Sequence, residues 1–158
     1  MLSEKLKNYN IILASGSPRR QRFFKEMDID FTIQLKEIEE IYPDSLRGVE
    51  ITDYLSKLKA AAFQDLSEKD LLITSDTIVW QSGKAFEKPK DASDAFRMIQ
   101  SFSGSMHKVF TSVTFTGKKN QKTINDTTKV WFNVLTDEEI NYYIKTYQPF
   151  DKAGRYGI

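Results

Sequence analysis

Apolar positions recur along this chain with two spacings, one suited to strands and one to helices. Asn10–Ala14 (Asn-Ile-Ile-Leu-Ala) is a short apolar run of the kind a buried strand requires. It leads into Ser15-Gly16-Ser17-Pro18 and a segment with Phe23, Phe24 and Met27 on one face. Ser17 as N-cap and Pro18 at the first helical position predict a helix start there. Phe31–Leu35 reads as a second strand, followed by a polar stretch carrying Glu37, Glu39 and Glu40. From roughly Glu50 to Phe63, Ile51, Tyr54, Leu55, Leu58, Ala61 and Ala62 recur at helical spacing. Leu71–Trp80 is strand-like and runs into a hairpin turn at Gln81-Ser82-Gly83-Lys84. Ala92, Ala95, Phe96, Ile99 and Phe102 predict a third helix near Asp91–Phe102, stopped at Ser103-Gly104. Lys108–Thr116 and Thr123–Leu135, rich in β-branched and aromatic residues, read as two long strands turning at Gly117–Asn120. Thr136 and Glu139 form a capping box for a last helix carrying Ile140, Tyr143, Ile144 and Tyr147, ended by Pro149. Strands alternate with helices early and pair late, which predicts a mixed sheet in an α/β architecture. No repeat or linker divides residues 1–158, so a single domain is expected.

Composition narrows the chemistry. With 40% hydrophobic and 28% charged residues the chain is an ordinary globular protein, and its net charge of +1 supplies no global field. Any anion site must therefore be local, and neither nucleic acid nor a membrane is expected as a partner. The absence of cysteine excludes disulfides, zinc-thiolate sites and thiol catalysis, and the single His107 is too few for a histidine-rich metal site. A metal here would be held by carboxylate and phosphate oxygens, which points to magnesium or manganese. No apolar stretch approaches the ~20 residues of a membrane span. Met1–Asn10 is polar and lacks the apolar region of a signal peptide, so a cytoplasmic location is expected.

Three segments break local rules, as segments built into sites tend to do. The first is Ser17-Pro18-Arg19-Arg20. A helix N-terminus is positive, so each arginine in the first turn is unfavourable by ~0.3–1 kcal/mol. A phosphate between the guanidinium groups and the helix amides reverses that sign. A solvated arginine pair on an exposed turn is the competing reading. The second is Leu71–Trp80, where Asp76 interrupts an apolar, β-prone run. Burying a carboxylate there costs several kcal/mol unless a cation or donors meet it. A turn at Asp76 is the alternative, but no Gly, Pro or Asn supports one, which favours a functional carboxylate. The third is Phe86-Glu87-Lys88-Pro89-Lys90, where Lys88 is biased to extended backbone before a helix start and within reach of phosphate. A solvated loop lysine is the default there. Glu39-Glu40 reads as a solvated loop or as metal ligands, His107 as structural, and the Tyr142, Tyr143 and Tyr147 group as helix packing. Neither a Walker loop nor Gly-x-Gly-x-x-Gly is present.

Six blocks in order resemble the Maf family. They are Leu13-Ala14-Ser15-Gly16-Ser17-Pro18-Arg19-Arg20; Lys59-Ala60; Ser75-Asp76-Thr77-Ile78-Val79; Glu87-Lys88-Pro89; Phe102-Ser103-Gly104 with His107-Lys108-Val109-Phe110-Thr111; and Asp151-Lys152-Ala153-Gly154-Arg155-Tyr156-Gly157-Ile158. The resemblance implies an elongated α/β fold similar to inosine triphosphate pyrophosphatases, with two lobes around a cleft. It implies metal-dependent hydrolysis of nucleoside triphosphates to monophosphate and pyrophosphate. Asp76 would be the proton acceptor and, with Glu40, a ligand of Mg²⁺ or Mn²⁺. Ser15, Arg19, Arg20, Lys59, Lys88 and Lys152 would surround the triphosphate. Arg19 together with Thr77 resembles the dTTP/UTP group, whereas the 7-methyl-GTP group differs at those two positions.

Two departures from the family pattern stand out. Glu39-Glu40 replaces the usual Asp-Glu, which bears on a metal contact. The family also continues past Ile158 with a Gln-Gly step, a strand and a helix, which this chain is expected to lack, together with a glutamine tied to base reading. The family's association with septum formation supplies an alternative, a nucleotide-binding regulator without significant turnover. A nucleic-acid module is disfavoured by the near-zero charge. Oligomeric state, a homodimer included, stays open.

Overall fold

The computed structural model describes residues 1–86 and 89–148. The elements run α1 (Leu2–Leu6), β1 (Asn10–Leu13), α2 (Pro18–Glu26), β2 (Thr32–Ile33), α3 (Val49–Ala61), β3 (Asp70–Gln81), β4 (Lys84–Phe86), α4 (Ala92–Phe102), β5 (Met106–Thr116), β6 (Gln121–Trp131) and α5 (Asp137–Tyr147). The strands form one sheet in the order β2-β1-β3-β5-β6, with β4 added to β3. β1 pairs parallel with both β2 and β3, Ile12 lying opposite Thr32 and Leu72. β4 returns antiparallel along β3, with Val79 opposite Phe86. The expected mixed α/β architecture is what forms.

β1 explains its own unbroken apolar run. Ile11 and Leu13 pack to one side with Ile29 and Ile73, and Ile12 packs to the other with Ala60 and Leu72. A strand covered on both faces has no solvent side to make polar. The same holds at β3, where Leu72 to Asp76 are all buried.

The chain divides into two compact units. One comprises Met1–Asp76 and Ser112–Asn125, the other Thr77–Thr111 and Asp126–Ile158. In the second unit Val79, Phe102 and Val109 gather Phe86, Met98, Val130 and Phe132. Ala95 and Ile99 of α4 pack there on Ile140 and Ile144 of α5. His107 is buried in the second unit against the rings of Phe102 and Phe132, at centroid distances of 4.4 and 5.1 Å. Burial lowers its pKa, as a core histidine requires. Of the three tyrosines, Tyr143 packs on the α4–α5 cluster, while Tyr142 and Tyr147 are exposed.

The predicted boundaries hold to within a few residues, with three exceptions. The polar N-terminus forms the short helix α1, Phe31–Leu35 yields only the two-residue β2, and the last long strand stops at Trp131 instead of Leu135. Gly104 sits at φ +64 just beyond α4, a conformation that suits glycine at a helix end. Among the described residues no helix is long and apolar enough to cross a membrane.

Candidate active site

β3 is one continuous strand through Asp76, so the carboxylate marks no turn. Asp76 is only 6% exposed. A carboxylate this deep in a sheet needs a cation, and α3 delivers one. Lys59, in the last turn of α3, sets its Nζ 2.7 Å from Asp76 Oδ1 and 3.2 Å from Glu40 Oε1. The Lys59 side chain is itself mostly buried, whereas Glu40 reaches in from an exposed loop.

The β1–α2 turn supplies a second set of polar groups. Ser15 is buried, and its Oγ accepts the Ser17 N–H at 3.3 Å and one Arg20 N–H at 3.5 Å. The same guanidinium donates to the Ser75 carbonyl at 3.0 Å, one residue before Asp76. Burial pushes the Arg20 pKa down, the Asp76 carboxylate pulls it back up, and the neighbouring Arg19 charge lowers it again. Arginine nonetheless stays charged, so Arg20 is a fixed cation beside Asp76. Ser17 occupies the N-cap position with extended backbone, but its hydroxyl makes no capping bond.

Ser15, Arg20, Glu40, Lys59 and Asp76 are thus brought together within the first unit. Arg19 lies exposed on the same helical turn as Arg20. Thr77 follows Asp76 in the chain, and its Oγ1 meets Thr111 Oγ1 at 3.1 Å in the second unit. Lys88 and Lys152 lie outside the described residues. Sequence reasoning missed a set of buried hydroxyls, Thr52, Ser56, Thr74, Ser112 and Thr114, that seat α3 on the sheet. Their one signal was Thr52 and Ser56, four residues apart on an otherwise apolar helix face.

Chemically, the site offers two carboxylates meeting on one ammonium, with a guanidinium alongside. Among the described residues no group of three or more His, Cys, Asp or Glu side chains converges. Two carboxylates suit a small hard cation that takes its other ligands from phosphate oxygens and water.

Similarity to known proteins agrees with this arrangement. The family profile described as Maf-like protein matches residues 10–158. A relative from Flavobacterium johnsoniae, named dTTP/UTP pyrophosphatase, is 58% identical over 159 residues, covering all of this chain and 82% of the relative. One of the same name from Bacteroides fragilis is 44% identical over 97% of this chain and 80% of the relative. Among solved structures, a HAM1 protein from Coxiella burnetii is similar in fold alone, with a TM-score of 0.50 and 13% identity over 77% of this chain and 71% of that one. With the profile match running from β1 through the α2 turn, Lys59 and Asp76 to the end of the sequence, the chain belongs to the Maf family.

Proposed function

We propose that this protein hydrolyses nucleoside triphosphates, dTTP and UTP foremost, to the nucleoside monophosphate and pyrophosphate with the help of a divalent metal. One observation carries the reading: a buried Asp76 held by Lys59 beside Arg20, in a chain whose relatives, one of them 58% identical, are named for that activity. Glu40 and Asp76 would hold Mg²⁺ or Mn²⁺, which when bound neutralises triphosphate oxygens and makes water more acidic.

The chain's own residues do the rest. An arriving triphosphate competes with Asp76 for the Lys59 ammonium, freeing carboxylate oxygen to orient water. Asp76 accepts the water's proton while its oxygen bonds to the α-phosphorus. The bond from that phosphorus to the α–β bridging oxygen breaks, and pyrophosphate leaves with the electron pair. Arg19, Arg20 and Lys59 meet the spreading negative charge with donors fixed in advance, and Ser15 adds a hydroxyl beside Arg20. By the family resemblance, Lys88 and Lys152 would also bind the triphosphate, and Thr77 would contribute to the choice of base.

Pyrophosphate release from a panel of nucleoside triphosphates, with Mg²⁺ or Mn²⁺ added, tests the proposal. Asp76→Asn removes the base and is expected to cut turnover about 10²–10⁴-fold. Wild-type turnover in that variant would rule Asp76 out as base. Tight nucleotide binding with no pyrophosphate release under either metal would favour the regulator reading instead.

A further inference from the structure

Five hydroxyl side chains lie fully buried where α3 meets the sheet: Thr52 and Ser56 on α3, Thr74 on β3, and Ser112 and Thr114 on β5. Apolar side chains fill such positions more readily, because a buried hydroxyl must find a partner. Each of these finds one in its neighbour. Thr52 Oγ1 meets Ser112 Oγ at 2.7 Å, and Ser56 Oγ meets Thr114 Oγ1 at 2.8 Å. Thr74 Oγ1 donates to the Ser56 carbonyl at 2.7 Å, and Ser112 Oγ donates to Asp53 Oδ1 at 2.6 Å.

The repeat distances match. Four helical residues rise about 6 Å, and two strand residues about 6.7 Å. The step from Thr52 to Ser56 therefore keeps pace with the step from Ser112 to Thr114. α3 runs opposite to β3, since Ser56 meets Thr74 while Ala60, one turn further on, packs on Leu72. Lys59 follows Ser56 by three residues on the same helix face, and Asp76 follows Thr74 by two on the same strand face. The Ser56–Thr74 bond thus lies between the backbone positions of Lys59 and Asp76, and the Lys59 side chain reaches back toward the start of α3, the direction helical side chains favour, to meet the carboxylate. Apolar packing is non-directional and tolerates sliding, whereas hydroxyl bonds are lost on a small axial shift.

We infer that Thr74, with the Ser56–Thr114 rung behind it, is a positioning residue that fixes α3 along the sheet so that Lys59 meets Asp76. Its catalytic consequence rests on the proposal that Asp76 acts as the base.

Thr74→Val keeps the shape and removes the hydroxyl, while Thr74→Ser keeps the hydroxyl. The expected result is a kcat about tenfold to hundredfold lower in Thr74→Val, with KM changed far less, and recovery in Thr74→Ser. In a Lys59→Met background, Thr74→Val should lower kcat no further, because its route to the chemistry is already cut. A second readout is independent of turnover. Reductive methylation of Lys59, followed by peptide mass, should be faster in Thr74→Val than in wild type or Thr74→Ser. Thr114→Val tests the same rung if Thr74→Val does not fold. Multiplicative losses in the Lys59→Met background, or unchanged Lys59 labelling, overturn the inference. If Asp76→Asn and Lys59→Met both keep full turnover, the base assignment fails by itself, and the labelling still decides whether Thr74 positions Lys59.

Discussion

The two helices that begin with a hydroxyl residue, α2 and α5, start in opposite ways. At α5 the Thr136 Oγ1 accepts the Glu139 N–H at 3.2 Å, and Glu139 Oε2 accepts the Thr136 N–H at 2.9 Å. Asp137, Glu138 and Glu139 then fill its first turn with negative charge. Every local term there favours the helix. At α2 the Ser17 hydroxyl caps nothing, the first turn holds no acid, and Arg19 and Arg20 add positive charge to a positive pole. α5 satisfies its start with its own side chains. α2 takes counter-charge from outside its own turn, with Asp76 beside Arg20, and on the proposed reading a triphosphate adds to it. A helix start that works against its own stability is informative about function, and one that obeys every rule is informative about folding.

Perturbing the two starts should separate function from folding. The largest effect is expected from Arg20→Met. It removes the cation donating to the Ser75 carbonyl beside Asp76, and dTTP turnover should fall about 10²–10³-fold, measured by pyrophosphate release with circular dichroism as the check on folding. Near-normal turnover in this variant would erase the functional side of the contrast. Thr136→Ala at the other start should do the reverse, costing about 1 kcal/mol in a denaturant melt and leaving turnover at permissive temperature unchanged. The smallest effect concerns pH. The Glu138 carboxyl is held below its ordinary value by its own backbone N–H and by the Thr136 hydroxyl. A carboxyl lowered in the folded state contributes fully above its unfolded value, and that contribution disappears as pH falls through the folded value. The melting temperature should therefore drop on acidification below about pH 4.3, and Glu138→Gln should flatten that part of the profile. An identical slope in both proteins would show that Glu138 does not take part.

Much of the fold was legible because periodicity and end signals agree along most of the chain. The helix near Asp91–Phe102, the Thr136–Glu139 capping box and the Gln81–Lys84 hairpin are all local chemistry, and they form where expected. α1 escaped notice because its five residues bury nothing and leave no apolar stripe to read. β2 shrank to Thr32–Ile33, both exposed, because pairing to β1 is what defines it. In the candidate site, Asp76 and the arginine pair stood out as violations of local rules. The division of labour between Arg19 and Arg20 did not, since adjacent arginines look alike in sequence, and only packing sends one to Ser75 and leaves the other exposed.

By itself the sequence determined most of the strand and helix segments, that a carboxylate interrupts a buried strand, and that the motifs resemble those of the Maf family. The first two follow from properties of neighbouring residues, namely spacing, capping chemistry and the cost of burying charge, and the third from the resemblance of the motif blocks. Only the tertiary structure decided which cation meets Asp76, since Lys59 lies seventeen residues away and could serve any partner within its reach. Only the tertiary structure revealed that hydroxyl rungs, not apolar contacts alone, seat α3 on the sheet. A serine or threonine reads the same in sequence whether it faces water or a partner hydroxyl sixty residues away, because its bond depends on which elements the fold sets side by side.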